Sequence, residues 1–471
     1  MKLTKSAMSV SATALALAAG TSFFAASPAD AVEIYKGNGT VIEFTAEIGL
    51  GLFHDDYNLL GPGKKSWQEG YAIMGFKFEQ ALDANWKAYG AVTGVVNGVR
   101  GNGDPIGFEL GGENDGQLQD AYGGFKWTDG KEGGASVNVS GGRQKWVMGD
   151  GFLIAGDQPT PGNGLGAPYF EGGGYYMNPR RVFGTTAIAN IETGTPWRGD
   201  VFYIQSEKGY NGLRSIAGAN IDYVDKTYGT LGFTYIRGLN MERSELAVFT
   251  PFNNASENMN VYSVHGNSSF NVKDFNLAFT YVNEQSDSGS ANCIVGVPCT
   301  GLDAWAWYIS PSYTFSNVSW TPTVYYRFAS FSGDDVNTAE YEAYDPLFYG
   351  ATGYNTWFIG EIAANYSGPY SSNADVHSIG LKTSPNIDLG IGKWTGISGY
   401  LNRYSFRELP VGVTSHDFGT ELAVYAEFQL FDNLYLSPLY SVMWTDDGFK
   451  QFFGKNDDTL QNFQLLGILT Y

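Results

Sequence analysis

Runs of about 10 residues alternate between apolar and polar side chains, cut by connections that are in turn short and long. No other feature limits the folds open to this 471-residue chain so strongly. The last run shows the pattern plainly. Phe463, Leu465, Gly467, Leu469 and Tyr471 share one face, and Gln464, Leu466, Ile468 and Thr470 share the other. In such a strand one face meets lipid and the other a pore, and the terminal ring suits a membrane interface. Short connections are expected at 81–85, 129–133, 193–196, 225–227, 272–274, 316–319, 386–392 and 432–433. Long ones, rich in Gly and Asp, are expected at 97–117, 147–181, 239–258, 284–303 and 333–373. Strict alternation of the two is the habit of bacterial outer-membrane barrels, with turns facing the periplasm and loops facing outside. A run at 357–366 lies between two segments that must share one external connection, so it is assigned to that loop. The expected fold is therefore all-β: a transmembrane antiparallel barrel of about 18 strands, both termini periplasmic.

Composition agrees. Aromatic residues make up 15% of the chain and glycines number 62, yet the mean hydropathy is only -0.19. Alternation hides a membrane face in this way. The N-terminus reads as a secretory signal. Lys2 and Lys5 precede an apolar run at 7–24, and Ala29-Asp30-Ala31 offers a cleavage site, so residues 1–31 are expected to be removed. Residues 32–471 then form a single barrel domain, and no apolar stretch there approaches the roughly 20 residues of a membrane helix. The chain carries 28 basic and 48 acidic residues; without Lys2, Lys5 and Asp30 the balance is 26 against 47, or -21. That surplus speaks against nucleic acid as a partner. Outer-membrane lipid and lipopolysaccharide are the expected surroundings. Acidic pairs such as Asp55-Asp56, Asp334-Asp335, Asp446-Asp447 and Asp457-Asp458 read as solvated loop tips or as groups bridged by divalent cations to lipopolysaccharide. Cys293 and Cys299 stand six apart in a Gly- and Ser-rich stretch, where a disulfide pinching the loop is expected.

Face assignment follows from the alternation. Leu422, Val424, Ala426, Phe428 and Leu430 are expected on the lipid side, with Glu421, Tyr425, Glu427 and Gln429 in the lumen. Trp305, Trp307, Ile309 and Tyr313 form a second lipid face, and Ala121, Phe125 and Trp127 a third. Pro311, Pro322 and Pro438 are expected at strand ends or bulges, because proline cannot donate to a ladder. Gly141-Gly142 permits a bulge that turns Arg143 inward, ahead of a loop long enough either to fold into the mouth and gate it or to remain a plain surface loop.

Three segments carry a family resemblance. GRQKWVMGDGFLI at 142–154, RFASFSGDD at 327–335 continued by YEAYDPLFYG at 341–350, and SNADVHSIGLKTSPN at 372–386 resemble motifs of the alginate-export outer-membrane porins. The resemblance runs from about residue 120 to the C-terminus. It implies an 18-stranded barrel that passes alginate, an anionic polyuronate, outward through a basic lumen, with periplasmic export partners. A polyanion pore needs inward Arg and Lys, since guanidinium groups pair carboxylates in a low-dielectric constriction. The candidates are Lys126, Arg143, Lys145, Arg327, Lys382 and Arg403, with Arg180 and Arg181 at the mouth. Each could equally form an ion pair with Glu361, Glu421, Glu427 or Asp120 that only stiffens the wall. The alternative is a nutrient-uptake porin on the same barrel. An enzyme is not expected: His54, His265, His377 and His416 fall in different elements, His265 and Ser268 are the nearest approach to a dyad, and no cofactor or metal motif occurs.

Overall fold

The computed structural model describes residues 31–471 apart from 158–159, 167–169, 171, 208–212, 242–257, 287–291, 295–296, 299–300, 336, 349–359 and 364–371. The signal-peptide reading therefore lies, but for Ala31, outside the described residues. So do Cys299 with its expected disulfide and most of the 357–366 run. Cys293 itself falls in a short strand, Asn292–Ile294.

Eighteen long strands form one closed antiparallel sheet. They begin with β1 (Thr40–Asp55), β2 (Lys65–Ala81), β3 (Trp86–Gly101), β4 (Asn114–Thr128), β5 (Ala135–Gln144) and β6 (Phe183–Thr193). β7 (Trp197–Gln205), β8 (Arg214–Asp225), β9 (Gly229–Met241), β10 (Asn260–Ser268), β11 (Phe275–Ser286) and β12 (Leu302–Thr314) continue the wall. β13 (Thr323–Phe331), β14 (Ala374–Thr383), β15 (Gly392–Phe406), β16 (Asp417–Leu430), β17 (Leu434–Thr445) and β18 (Thr459–Thr470) complete it. β18 pairs with β1, Leu50 opposite Gly467, and Ala46 and Tyr471 exchange backbone bonds of 2.8 and 2.7 Å. Closure leaves no edge strand, as a sheet in lipid requires. Two short strands, Val32–Gly37 and Ile387–Asp388, are appended at the periplasmic end.

The outward side chains are apolar and exposed: Leu50, Val92, Phe125, Val139, Val201, Leu231, Val264, Ile379, Leu401 and Phe463 among them. This band places the barrel in a bacterial outer membrane. The expected lipid faces of β4, β12 and β16 are the observed ones, with Phe125, Ile309, Leu422 and Val424 exposed and Glu421, Tyr308 and Tyr425 buried within. Each expected turn falls at a periplasmic connection. Strict alternation in length does not hold, because the external connections 56–64, 206–213, 407–416 and 446–458 are short too; the last holds a helix, α1 (Asp447–Phe453).

Two local devices follow the sequence. At Gly142 the backbone takes φ 121°, the β5–β6 register shifts between Gly142 and Gln144, and an added Cβ would lie 2.4 Å from the carbonyl oxygen of Ala121. Pro322 lies just ahead of β13, at a strand end as expected. Pro311 and Pro438 instead lie inside β12 and β17, where pairing with β13 and β16 lapses beside them, so the missing donors are absorbed by gaps in one ladder.

Candidate functional site: a lumen narrowed by two loops

The described parts of the connections 145–182 and 332–373 do not stay at the surface. They meet inside the barrel, where the Ala155 N–H donates to the Phe348 carbonyl at 2.7 Å and the Phe348 N–H to that of Leu153 at 3.1 Å. Ile154 and Phe348 are almost wholly buried at this junction, and Phe183 packs against Phe348 with ring centroids 5.0 Å apart. Met148, Phe152, Leu153, Tyr344 and Leu347 join them against Ile188, Ile204, Ile216, Val261, Val282 and Ala329 of the wall. The strands on that side thus bear apolar residues on both faces, lipid outside and loop core inside. Burying loop backbone demands partners for its polar groups.

Carboxylates supply them. Glu421, with no exposed surface, accepts the N–H groups of Glu361 (2.8 Å), Ile362 (3.1 Å) and Ala363 (3.0 Å) and the Ser441 hydroxyl (2.7 Å). Successive N–H groups curved around one anion form a nest. Gly360 opens the nest at φ 100°, and a Cβ there would stand 2.4 Å from Glu421 Oε2. On β11, Glu284 accepts the Asp345 N–H at 2.9 Å while Arg214 pairs with the Asp345 carboxylate at 2.9 Å. Glu69 holds Tyr176 and Met177 by their N–H groups (3.1 and 2.7 Å) and the Trp67 indole (3.1 Å). In the outer loop, Glu109 accepts the Tyr175 N–H (2.8 Å), Glu113 that of Asn163 (3.1 Å), and Asp104 those of Ile106 and Glu109. Burial raises the Asp104 carboxyl to about 6. Burial, with the charges of Glu69, Glu113 and Asp104 behind it, raises that of Glu109 to about 10. These acids pin peptide groups rather than cations. Glu69 and Glu284 escaped the sequence reading, although both stand on lumen-side positions of their strands without a cation opposite.

The cations sort by type. Arg143 grips Glu207 with two bonds of 2.7 Å and also donates to the Leu118 and Gln119 carbonyls; Arg180, almost fully buried, adds a 2.6 Å bond to the same carboxylate. Burial works against the charged form of Glu207, but the Arg143 bonds and the Arg180 charge hold it below the ordinary range. The expected pairing to stiffen structure thus occurs, yet its acid is Glu207, in the short 206–213 connection, and not Glu361, Glu421, Glu427 or Asp120. Arg180 is a strut within the loop and not a mouth cap. Burial lowers the Arg181 guanidinium to about 10. Arg327 lies buried in the wall with its guanidinium carbon 5.6 Å from the Tyr308 ring centre, and Tyr308 bonds Asp150 of the infolded loop. Arg403 does not line the lumen: Leu401, two residues before it, faces lipid, so Arg403 points outward and bridges Asp417 (2.7 Å) and Asp446 at the external rim. One register position separated it from the lumen.

Lysines behave otherwise. Lys145 follows β5 directly and is exposed, within reach of the charges of Glu47 and Asp120; among the described residues it carries no ion pair or hydrogen bond. The enclosing wall, and then the Arg181 charge, lower its ammonium to about 8. Lys126 and Lys382 face inward as expected, opposite Phe125 and Leu381 on the lipid side. Lys77 and Lys393, which were missed, join them on the periplasmic half; alternation from Phe76 and Trp394 would have found both. Glu427 accepts the Tyr435 hydroxyl at 3.1 Å near that mouth. His265 bonds Asp222 at 2.9 Å inside the lumen, whereas Ser268 lies on the lipid-facing side with Tyr262 and Val264, so the two form no dyad.

No family model matches the chain, and no curated protein matches it. Solved structures do. A BenF-like porin from Pseudomonas fluorescens Pf-5 aligns with TM-score 0.58 at 11% identity, over 91% of this chain and 98% of that one. OccK2 (OpdF) of Pseudomonas aeruginosa aligns with TM-score 0.56 at 12% identity, over 91% and 97%, and has also been solved in complex with glucuronate. OccK5 (OpdH) of the same organism gives 0.51 at 12% identity. At such identities the likeness is one of fold: this chain shares the closed 18-stranded barrel of outer-membrane porins, while its alginate-export resemblance stands on the three motifs alone.

Proposed function

We propose that the protein is a substrate-selective outer-membrane channel for passive uptake of small carboxylate-bearing solutes. The observation that supports this most is the junction of the two infolded loops at Ala155 and Phe348, which narrows the lumen; Lys145, on one of these loops, has no ion-pair partner among the described residues. A constriction of that kind passes a small anion one at a time, drawn by a fixed positive charge in a low-dielectric passage. It suits a threading polyuronate poorly, because a polymer would need the apolar loop core to leave the lumen. The glucuronate complex of OccK2 points to the same solute size and charge. Uptake is thus preferred here to polymer export.

Planar-bilayer reversal potentials in a salt gradient, paired with liposome swelling, test the reading. Anion selectivity, with entry of a hexuronate and exclusion of its longer oligomers, is expected. Cation selectivity, or translocation of long oligouronates, would overturn it.

A further inference from the structure

Below the constriction, the periplasmic mouth contains a cavity of about 760 Å³ between the 384–391 turn, the start of β15 and the β16–β17 hairpin. Its lining combines three carboxylates, Asp388, Glu427 and Asp432, with the single ammonium of Lys393 and the neutral Gln429 and Tyr435. Lys393 and Gln429 are register partners, as are Gln429 and Tyr435, so these three span neighbouring strands at one height. The Gln429 amide nitrogen is buried and has no partner. Among the described residues no group of three or more acids or histidines is arranged to hold a metal ion.

Resting on the uptake reading above, we propose that this vestibule is an exit subsite for polyhydroxylated carboxylates, the sugar-acid class. Lys393 and the Gln429 amide receive the solute carboxylate or ring oxygen, while Asp388, Glu427 and Asp432 accept its hydroxyl protons. A plain monocarboxylate of equal charge satisfies Lys393 alone and leaves three anions unrelieved beside it. Carboxylate acceptors facing hydroxyls give strong charge-assisted bonds, and their loss in an isostere lacking hydroxyls separates the two solutes. Lys145 thus selects charge at the constriction, and the vestibule selects hydroxyl content.

Calorimetric titration of the detergent-solubilised full chain with galacturonate, and with cyclohexanecarboxylate as the hydroxyl-free control, reads the vestibule independently of conductance. We expect galacturonate to bind roughly tenfold more tightly, a difference of one charge-assisted hydrogen bond. Glu427→Gln with Asp388→Asn should bring the two affinities together, and Lys393→Ala should weaken both. Equal affinities in the parent protein, or a preference that survives the double variant, overturns the subsite. Both variants sit at an open mouth outside the apolar core, and a parent-like heat-modifiable gel shift confirms a folded barrel. Conductance measured in parallel decides the uptake reading separately: a barrel that prefers galacturonate in calorimetry yet shows cation selectivity sinks uptake while keeping the subsite.

Discussion

Lys145 and Arg143 stand two residues apart and do different work. The Arg143 guanidinium is committed to Glu207 and two carbonyls, whereas the Lys145 ammonium has no hydrogen-bond or ion-pair partner among the described residues. Lys145→Ala should therefore reduce anion selectivity in reversal-potential measurements and leave the thermal midpoint unchanged. Arg143→Ala should do the reverse, loosening the 206–213 connection at a cost of about 1–2 kcal/mol, discounted because Glu207 is 35% exposed. Titration adds a signature. With the Lys145 ammonium lowered to about 8, its charge is full well below that pH and lost above it, so anion selectivity should fall as pH rises from about 7 to 9. Residue type was readable from the chain, and so was the inward direction of Lys126 and Lys382. What each guanidinium binds was not, since Glu207 lies 64 positions from Arg143.

At the scale of elements, the loops are held by wall carboxylates. Glu421→Ala would strip the acceptor from three buried N–H groups, each costing about 1–3 kcal/mol when left unpaired. Faster hydrogen exchange at 361–363 and larger open-channel current fluctuations are expected; unchanged protection would mean that other contacts carry this segment. The outer connection 102–113 should respond to pH in a defined sense. Asp104 and Glu109 have folded values of about 6 and about 10, above the roughly 4 of unfolded carboxyls, so the folded loop binds more protons. Its stability is then fullest below about pH 4 and declines as pH rises through 6 towards 10. Amide exchange at 104–113, corrected for the intrinsic rate, should be slower at pH 5 than at pH 8. Alternation had placed Glu421 in the lumen, but nothing local to β16 announces a nest contributed by residues some sixty positions earlier in the chain.

Over the whole molecule, a lumen field built from a few lysines against a net charge of -20 should be sensitive to salt. Anion selectivity should decay between 0.01 and 1 M salt, as the screening length shrinks from about 30 to about 3 Å. Persistence at 1 M would indicate contact binding at the constriction. The barrel itself was legible: a period of two, about 10 residues per run and punctuating turns are local properties, and a strand in lipid admits no other arrangement than closure. Thus strand number, both faces of β4, β12 and β16, and the bulge at Gly142 follow from the chain alone. The length of the loop after Arg143 already suggested that it enters the mouth; the tertiary structure alone decided that the connection after β13 joins it at Ala155 and Phe348, that acids hold their backbones, and that Arg403 points outward at the external rim. Those outcomes depend on contacts between residues distant in sequence and on a register that one position reverses, and neither leaves a periodic mark in the order of amino acids.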